Sequence, residues 1–408
     1  MGMTSRTVLM RTARAVGMAM GLVAMAGCGS ESTEAPGATE PGPCAEMVES
    51  CLAKQQACVD TGGEARCEAC AEGQYAALSG QCEPIGGSAM VHDFEEFTVQ
   101  PGEEITGLCQ SWTLDNPEAI WVNAVVLAQD VASHHSNWTY VPSDSFEGPD
   151  GVWPCAERNY DQLSAAVVGG VLYAQSTQAT KEVQRFPNNA AVRIPPYARI
   201  IGDVHLLNAR PEPVTGHVKL TLHALAAEEV AVKLVPFHLD YHGLDIPARS
   251  RSRFTGECKV AEQLAGITGK PFEMDIYYLL PHYHIMGRRF FLEELGGAED
   301  GKVLFDAAGQ EGEAKGRSYD PPQHVEGAEG FRFGCEFDNT RAERVGWGLG
   351  DQEMCEILGF ADMGAAFEST VTTAEEKGMD GEFQRFGGEC GTLAFPWDHD
   401  KEGGPAPQ

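Results

Sequence analysis

From Val91 onwards, the sequence alternates short apolar or β-branched runs with breaks at Gly, Pro, Asn and Asp. Few windows keep a helical period of 3.6 residues, so most of these runs predict strands. Many short strands at regular spacing favour antiparallel sandwiches in an all-β fold. The runs that predict strands are 120–127, 165–174, 204–207, 217–222, 230–235, 276–280 and 289–292, and those that predict short helices are 261–266 and 373–378.

The length of the main body is sufficient for about two domains of ordinary size. One set of predicted strands ends near residues 226–236, and a second set follows the segment 242–247. We therefore expect two tandem β-sandwich domains, at residues 90–235 and 236–397. The tail at residues 398–408 is polar and rich in Pro and Gly, which predicts disorder.

The N-terminus has the pattern of an export signal. Arginines at positions 6, 11 and 14 precede an apolar run that ends at Met25-Ala26-Gly27-Cys28. The cysteine after small residues resembles a bacterial lipobox, which predicts a signal peptide at 1–27 and a lipidated Cys28; ordinary signal cleavage nearby is the alternative. Residues 28–43 would form a flexible tether. We expect an exported, lipid-anchored protein of the bacterial cell envelope, attached to the membrane only through this lipid.

Cysteine usage agrees with export. The chain has 13 cysteines, and setting Cys28 aside leaves two even groups, as disulfide pairing requires. One group lies at residues 44–83, where few large apolar residues are present, so disulfides would replace a core in a small module. Zinc binding by Cys67 and Cys70 is the alternative for this module, which loosely resembles EGF-type or receptor cysteine-rich modules.

The chain is strongly acidic, with a formal net charge of −31. Such a surface repels nucleic acid and anionic lipid. A solvated acidic face is one interpretation, and attraction of cationic ligands is another. We expect a small-molecule substrate and no nucleic-acid partner, and the sequence does not predict the oligomeric state.

Histidines and one methionine predict metal binding. His282 and His284 are spaced to share one face of a strand. The adjacent His134 and His135 can reach one metal ion only at a strand end, a bulge or a loop. His205 lies in an apolar strand, and Met354 offers a soft thioether. Imidazoles and a thioether without carboxylates favour copper, and we expect copper loss as the pH falls through the histidine range.

In their order and spacing, these residues resemble the type II copper, ascorbate-dependent monooxygenase family, which includes the peptidylglycine α-hydroxylating and dopamine β-monooxygenases. The resemblance covers roughly residues 90–395 and extends to the segments 244–258 and 333–355. It implies two tandem antiparallel jelly-roll-like sandwiches, each with one copper ion facing a solvent-filled cleft. His134, His135 and His205 would hold the electron-transfer copper. His282, His284 and Met354 would hold the catalytic copper, where O₂ binds, with ascorbate or another one-electron reductant as co-substrate.

The same resemblance implies three disulfides and a substrate site that departs from the family. The implied pairs are Cys109–Cys155, Cys258–Cys390 and Cys335–Cys355. The peptide-amidating members have an Arg, an Asn and a Tyr where this chain has Leu280, Glu356 and Leu358. A glycine-extended peptide is therefore a poor substrate candidate. Glu356 would either pair with a substrate amine or lie as a solvated acid.

The expected function is the hydroxylation of an sp³ C–H bond of a small substrate by O₂, with two copper ions and ascorbate. Two alternatives remain: a copper-binding envelope lipoprotein for storage or delivery, and a structural or adhesive lipoprotein with decayed sites. The presence of all six ligand residues argues against decay. The sequence does not distinguish storage from catalysis, and it does not identify the substrate.

Overall fold

The computed structural model describes residues 42–130, 132–175, 179–307, 315–348 and 350–400. The expected signal peptide, Cys28, nearly all of the tether and residues 401–408 of the tail lie outside these ranges. From Gly42 onwards the chain forms one compact unit, which contains a disulfide-rich module and two β-sandwiches. None of the helices in the described part of the chain is long and apolar enough to span a membrane.

The module is held together by three disulfides that join Cys44 to Cys58, Cys51 to Cys67, and Cys70 to Cys82. Its elements are a 3-10 turn Pro43–Glu46, α1 Val48–Leu52, β1 Ala57–Asp60, β2 Ala65–Glu68, β3 Gln74–Ala76 and β4 Cys82–Pro84. The zinc alternative is wrong in this structure, because Cys67 and Cys70 are both oxidised and have different partners. The module has too few apolar residues to form a hydrophobic core, so the three disulfides stabilise it instead.

The first sandwich places a five-stranded sheet, in the order β10-β7-β14-β9-β11, against a sheet in the order β17-β13-β8-β16-β5 with β12 also on β8. All pairs are antiparallel except β13 with β17. Its elements are β5 Ser88–Asp93, β6 Phe97–Val99, β7 Glu104–Thr113, β8 Ile120–Gln129, β9 Ser133–Val141, β10 Gly151–Pro154, the 3-10 turn Cys155–Arg158, α2 Gln162–Val168, β11 Gly170–Ala174, β12 Lys181–Arg185, β13 Ala190–Ile194, β14 Arg199–Leu207, β15 Val214–Gly216, β16 Val218–Leu225, the 3-10 turn Ala227–Glu229 and β17 Val232–Lys233.

The second sandwich has two six-stranded sheets, in the orders β24-β21-β27-β18-β28-β31 and β23-β22-β25-β20-β30-β29. The pairs β18–β28 and β20–β30 are parallel, and the others in these sheets are antiparallel. Its elements are β18 Val235–Tyr241, β19 Asp245–Ile246, β20 Ser250–Cys258, α3 Ala261–Thr268, β21 Glu273–His282, β22 Gly287–Leu295, β23 Val303–Asp306, β24 Arg317–Glu326, β25 Gly330–Asn339, β26 Val345–Gly346, β27 Glu356–Asp362, β28 Ala365–Val371, β29 Glu375–Asp380, β30 Phe383–Glu389 and β31 Gly391–Pro396.

The expected all-β class, with two tandem sandwiches after a disulfide-rich module, is confirmed, and the helix predicted at 261–266 is present as α3. Two local predictions were wrong. Residues 165–168 belong to α2, which begins where the Asp161 side chain accepts a hydrogen bond from the Ser164 N–H at 2.8 Å. Residues 375–378, predicted as a helix, lie in the edge strand β29, where every residue is exposed and pairing with β30 outweighs helix propensity.

A shared hydrophobic cluster joins the two sandwiches. Phe186 of the first sandwich is fully buried, and its ring centre lies 6.0 Å from that of Tyr278 and 5.1 Å from that of Phe360, on β21 and β27 of the second. Leu280 and Leu358, on the same two strands, belong to the same cluster. The apolar face of one sheet of the second sandwich therefore completes the core of the first.

We expect Phe186→Ala to destabilise the folded chain by about 3–5 kcal/mol, because it leaves a cavity at this junction. Leu393→Ala is the control, since Leu393 is 50% exposed and such a surface change shifts stability by about 0.5 kcal/mol or less. Chemical denaturation monitored by tryptophan fluorescence measures both. Equal midpoints for the two variants would show that the junction does not stabilise the fold.

Candidate metal centre

A bulge in β9 brings the adjacent His134 and His135 to one site. In the pairing of β9 with β14, His205 lies opposite His135 and Leu206 opposite Ser133, so His134 is the extra residue. Neighbours on a regular strand would point to opposite faces. Here the ring centres of His134 and His135 are 5.0 Å apart, and each is 4.8 Å from that of His205. The irregular backbone expected at this histidine pair is present.

The His282-Tyr283-His284 segment lies at the end of β21. The two imidazole ring centres are 5.0 Å apart. Tyr283 points the other way and is fully buried in the core of the second sandwich. Its ring lies so close to Gly287 that a Cβ there would stand 2.0 Å from Tyr283 Cδ2. The alternation expected for an HxH pair is thus maintained by the packing of the intervening tyrosine.

The histidines of both sandwiches form one continuous cluster. The ring centre of His135 lies 5.2 Å from that of His282 and 6.2 Å from that of His284. In two groups, His134-His135-His205 and His135-His282-His284, one nitrogen from each ring lies within 4.8 Å of the others. The resemblance implied two sites separated by a solvent-filled cleft; in this structure the shared core closes that gap, and His135 belongs to both groups.

Hydrogen-bond acceptors orient two of the imidazole rings. Each acceptor contacts the ring nitrogen that we call outer, His205 Nε2 or His284 Nδ1. His205 Nε2 is 2.8 Å from a carboxylate oxygen of Glu104, and His284 Nδ1 is 2.8 Å from the Gln352 carbonyl. An N–H that donates to such an acceptor leaves the other ring nitrogen with its lone pair directed inward. His205 Nδ1 then faces His135 Nε2 at 3.1 Å. This is the arrangement that metal-binding imidazoles adopt.

Two buried nitrogens of the cluster, His134 Nδ1 and His284 Nε2, have no hydrogen-bond partner among the described residues. Leaving a buried polar atom without a partner costs about 1–3 kcal/mol, and a bound metal ion would remove that cost. The donor set of imidazoles with a neighbouring thioether suits copper better than Mg²⁺ or Ca²⁺, which prefer oxygen ligands. The residues therefore fit the copper ions that the resemblance implies.

Four of the histidines, His134, His135, His282 and His284, have a lowered pKa that favours the neutral form that binds metal. Burial, followed by the neighbouring imidazoles, lowers the pKa of His134 to about 4. Burial and His284 lower the pKa of His282 to about 4. Burial also lowers the pKa of His135 and His284 below the usual value. Protonation of one ring places a positive charge in a desolvated cluster. That charge repels a second proton, so neighbouring rings lower one another's pKa.

Met354 lies in a loop that is fastened to the HxH segment. The preceding residue, Glu353, is buried, and its carboxylate accepts hydrogen bonds from the backbone N–H groups of His284 at 2.9 Å and Met286 at 2.8 Å. Burial raises the pKa of Glu353 to about 7, although these donors oppose the shift. Met354 itself is 8% exposed, and the Cys335–Cys355 disulfide follows it directly. The hydrogen bonds of Glu353 therefore hold the loop that carries Met354 against the HxH segment.

The other two disulfides that the resemblance implies are also present, as Cys109–Cys155 and Cys258–Cys390. Cys109 lies on β7, opposite Asp203 of β14. Asp203 is two residues before His205 on the same strand. The bridge thus braces the strand that supports the first histidine group. Every described cysteine is oxidised, so none of them offers a thiolate to the metal ions.

The three residues predicted to contact substrate do not line an open pocket. Leu280 and Leu358 are 2% and 8% exposed and pack in the core that joins the sandwiches. Glu356 is partly buried, and its carboxylate lies 3.5 Å from His238 Nε2. Burial opposes the effect, but His238 lowers the pKa of Glu356 to about 2. Glu356 is thus neither a solvated acid nor an unpaired one, and a substrate would reach the leucines only if the sandwiches separated.

Glu104, Glu353 and His238 support the cluster, and the sequence analysis did not assign them this role. His238 is structural, because it pairs with Glu356. Glu356 lies opposite His282 in one strand pairing and opposite Asp240 in another. Such neighbours are set by sheet register between distant segments, and no local sequence pattern reveals them. Glu353 carried a weak signal, because it directly precedes Met354.

Neither a comparison with protein-family models nor one with curated proteins gives a match. Among solved structures, the major capsid protein P2 of bacteriophage PM2 is similar at 8% identity and a TM-score of 0.30, covering 68% of this chain and 98% of its own. The PBSX exported protein XepA is similar at 10% identity and a TM-score of 0.19, over 74% of this chain and 96% of its own. PBCV-1 VP54 is similar at 7% identity and a TM-score of 0.23, over 69% of this chain and 95% of its own. TM-scores of this size carry no information on function.

The lowered pKa values predict the pH dependence of metal binding. A histidine whose pKa is lowered remains neutral below the reference value of about 6.5 and gains its proton only as the pH falls to about 4. We therefore expect the copper content, measured by elemental analysis after gel filtration, to persist through the usual histidine range and to fall steeply near pH 4. Loss of copper at the reference pKa would indicate solvated histidines.

The position of His135 in both groups predicts unequal effects of single substitutions. We expect His135→Ala to lower the copper content more than His134→Ala, because it removes a donor from both groups and not from one. His217→Ala is the matched control, since the His217 side chain is 45% exposed and outside the cluster. Copper titration followed by elemental analysis measures all three. Equal losses for His134→Ala and His135→Ala would contradict a shared ligand.

Proposed function

We propose that this chain is a copper- and ascorbate-dependent monooxygenase that hydroxylates an sp³ C–H bond of a small substrate. The observation that carries the proposal is the pair of overlapping three-histidine groups, with inward nitrogens that lack partners and outer nitrogens oriented by acceptors. Bound copper would supply the one-electron chemistry by which O₂ and two electrons and protons convert R–H to R–OH and water.

The protein's own residues would keep the two groups unequal. Glu104 accepts the outer N–H of His205 and fixes which nitrogen of that ring faces the metal. The Gln352 carbonyl does the same for His284. Glu353 ties the loop of Met354 to the HxH segment, so the soft thioether belongs to the second group alone. A thioether favours Cu(I), the form required for the reaction with O₂.

We further propose that the protein works in the bacterial cell envelope, attached through a lipid on Cys28. Two observations support this location: the pattern of the first 28 residues and the six disulfides among the described residues. Disulfides persist in oxidising compartments. A small-molecule substrate suits a cluster that is largely buried.

A second candidate function is the storage or delivery of copper. One observation favours it: Leu280 and Leu358, which would contact substrate, are buried in the core between the sandwiches. A protein that only holds copper needs the histidine cluster but no access for a substrate. The two functions therefore differ in turnover and not in copper binding.

Ascorbate-dependent O₂ consumption by the copper-loaded chain separates the two functions. The substrates would be a panel of amines, peptides and hydrophobic alcohols, with the hydroxylated product identified by mass spectrometry. Consumption that requires both copper and substrate, and that yields a hydroxylated product, would support the monooxygenase. Full copper loading without a product from any of these compounds would favour storage.

Met354→Ile should abolish turnover while the group of His134, His135 and His205 still binds copper, because the change removes the thioether and preserves bulk. Met379→Ile is the matched control, since Met379 is 62% exposed on β29. Product formation and copper content are measured for both variants. Full turnover by Met354→Ile would show that the second group is assigned incorrectly.

A further inference from the structure

A cavity of about 530 Å³ lies where the disulfide-rich module and the two sandwiches meet. The module contributes residues around α1 and β3, the first sandwich contributes β12, and the second contributes the beginning of β24. The described residues that line the cavity include none of the five histidines. Its volume lies within the range of about 300–1,000 Å³ that is usual for small-molecule sites.

The charge of this cavity is opposite to that of the chain. The whole sequence has 60 acidic residues against 29 lysines and arginines. The described residues that line the cavity include one acid, Glu49, and five cations: Lys54, Lys181, Arg185, Lys315 and Arg317. Three separate segments supply these cations, so the enrichment does not come from one basic run in the sequence.

None of the five cations forms an ion pair with a described residue, and four of them donate to backbone carbonyls. Lys181 Nζ lies 3.1 Å from the Ala71 carbonyl, Lys315 Nζ 3.2 Å from that of Lys54, and Arg317 Nη1 3.2 Å from that of Asp306. Carbonyl dipoles do not neutralise a full charge. Glu72 is exposed and pairs with Lys219.

Two buried polar atoms of the lining residues have no hydrogen-bond partner among the described residues. They are Nε of Arg185 and the hydroxyl of Tyr278. The guanidinium of Arg185 also lies 4.9 Å from the ring centre of Tyr75, so its position is fixed by stacking. A guanidinium that is held in place by stacking is suited to a carboxylate.

We propose that this cavity binds a small organic polyanion with two or more carboxylates. The volume and the five cations from three parts of the fold together define this ligand class. Because the ligand would contact the module and both sandwiches at once, its binding would stabilise their assembled arrangement. The proposal does not depend on copper or on the monooxygenase activity.

Citrate is the probe, and the copper-depleted full-length chain is used so that chelation of copper by citrate does not contribute. We expect saturable binding by titration calorimetry at constant ionic strength, with a rise in melting temperature. The variant Lys181→Gln/Lys315→Gln should weaken binding by about tenfold or more, since it removes two charged donors. The control Lys259→Gln/Lys270→Gln makes the same charge change at exposed lysines outside the cavity, and it should bind citrate as the unmodified chain does.

Several outcomes would overturn the proposal. Undetectable citrate binding by the unmodified chain would do so, as would equal weakening in the two double variants. If inorganic phosphate bound as tightly as citrate, the cavity would attract anions in general and would not select polycarboxylates. If citrate binds only after Glu311 and Glu313, which lie outside the described residues, are changed to Gln, the chain's own carboxylates compensate the cations. The single variant Lys315→Gln gives a second test if the double variant does not fold.

Discussion

The candidate metal centre depends on the apolar contact by which the second sandwich completes the core of the first. Residues 278 and 280 of β21 and residues 358 and 360 of β27 are buried in that contact. Side chains two residues apart share a face of a strand. His282 therefore continues the face that Tyr278 and Leu280 bury against the first sandwich, and it ends beside His135. Each large apolar side chain buried at the junction contributes about 1.5–3 kcal/mol, and this energy also maintains the proximity of the histidines.

Five imidazoles that lie together in a largely buried region lose hydrogen bonds to water, which costs free energy. The surrounding residues offset this cost at some nitrogens, and a metal ion would offset it at others. Desolvation and mutual repulsion lower the pKa of His134, His135 and His282 and so oppose their protonation near neutral pH. Glu104 and the Gln352 carbonyl satisfy the outer nitrogens of two rings. The inward nitrogens of His134 and His284 are not satisfied by any described residue. A cation that accepts neutral imidazoles and does not require carboxylates fits this pattern of satisfied and unsatisfied atoms.

Sequence reasoning predicted the histidines and the general fold, because both rest on local patterns. The HxH spacing and the irregular backbone at His134 follow from strand alternation, and α3 follows from a helical period. The helix expected at 373–378 was wrong because pairing at the sheet edge, which is not local, decided the structure of β29. The contact between His135 and His282 joins residues 147 positions apart in different sandwiches, and it depends on the packing of the shared core, which includes Phe186, Tyr278 and Phe360.

The neighbourhood of Glu356 bears on how the proposed enzyme would select its substrate. The strand register places Glu356 opposite both His282 and Asp240. Glu356 raises the pKa of the nearby His238 to about 9, although burial opposes this rise. At neutral pH the two side chains form a charged pair, so an amine substrate would have to displace an internal cation to reach this carboxylate. Breaking a partly buried pair costs more than the exchange of a solvated counterion. Charge pairing at Glu356 therefore does not favour an amine substrate.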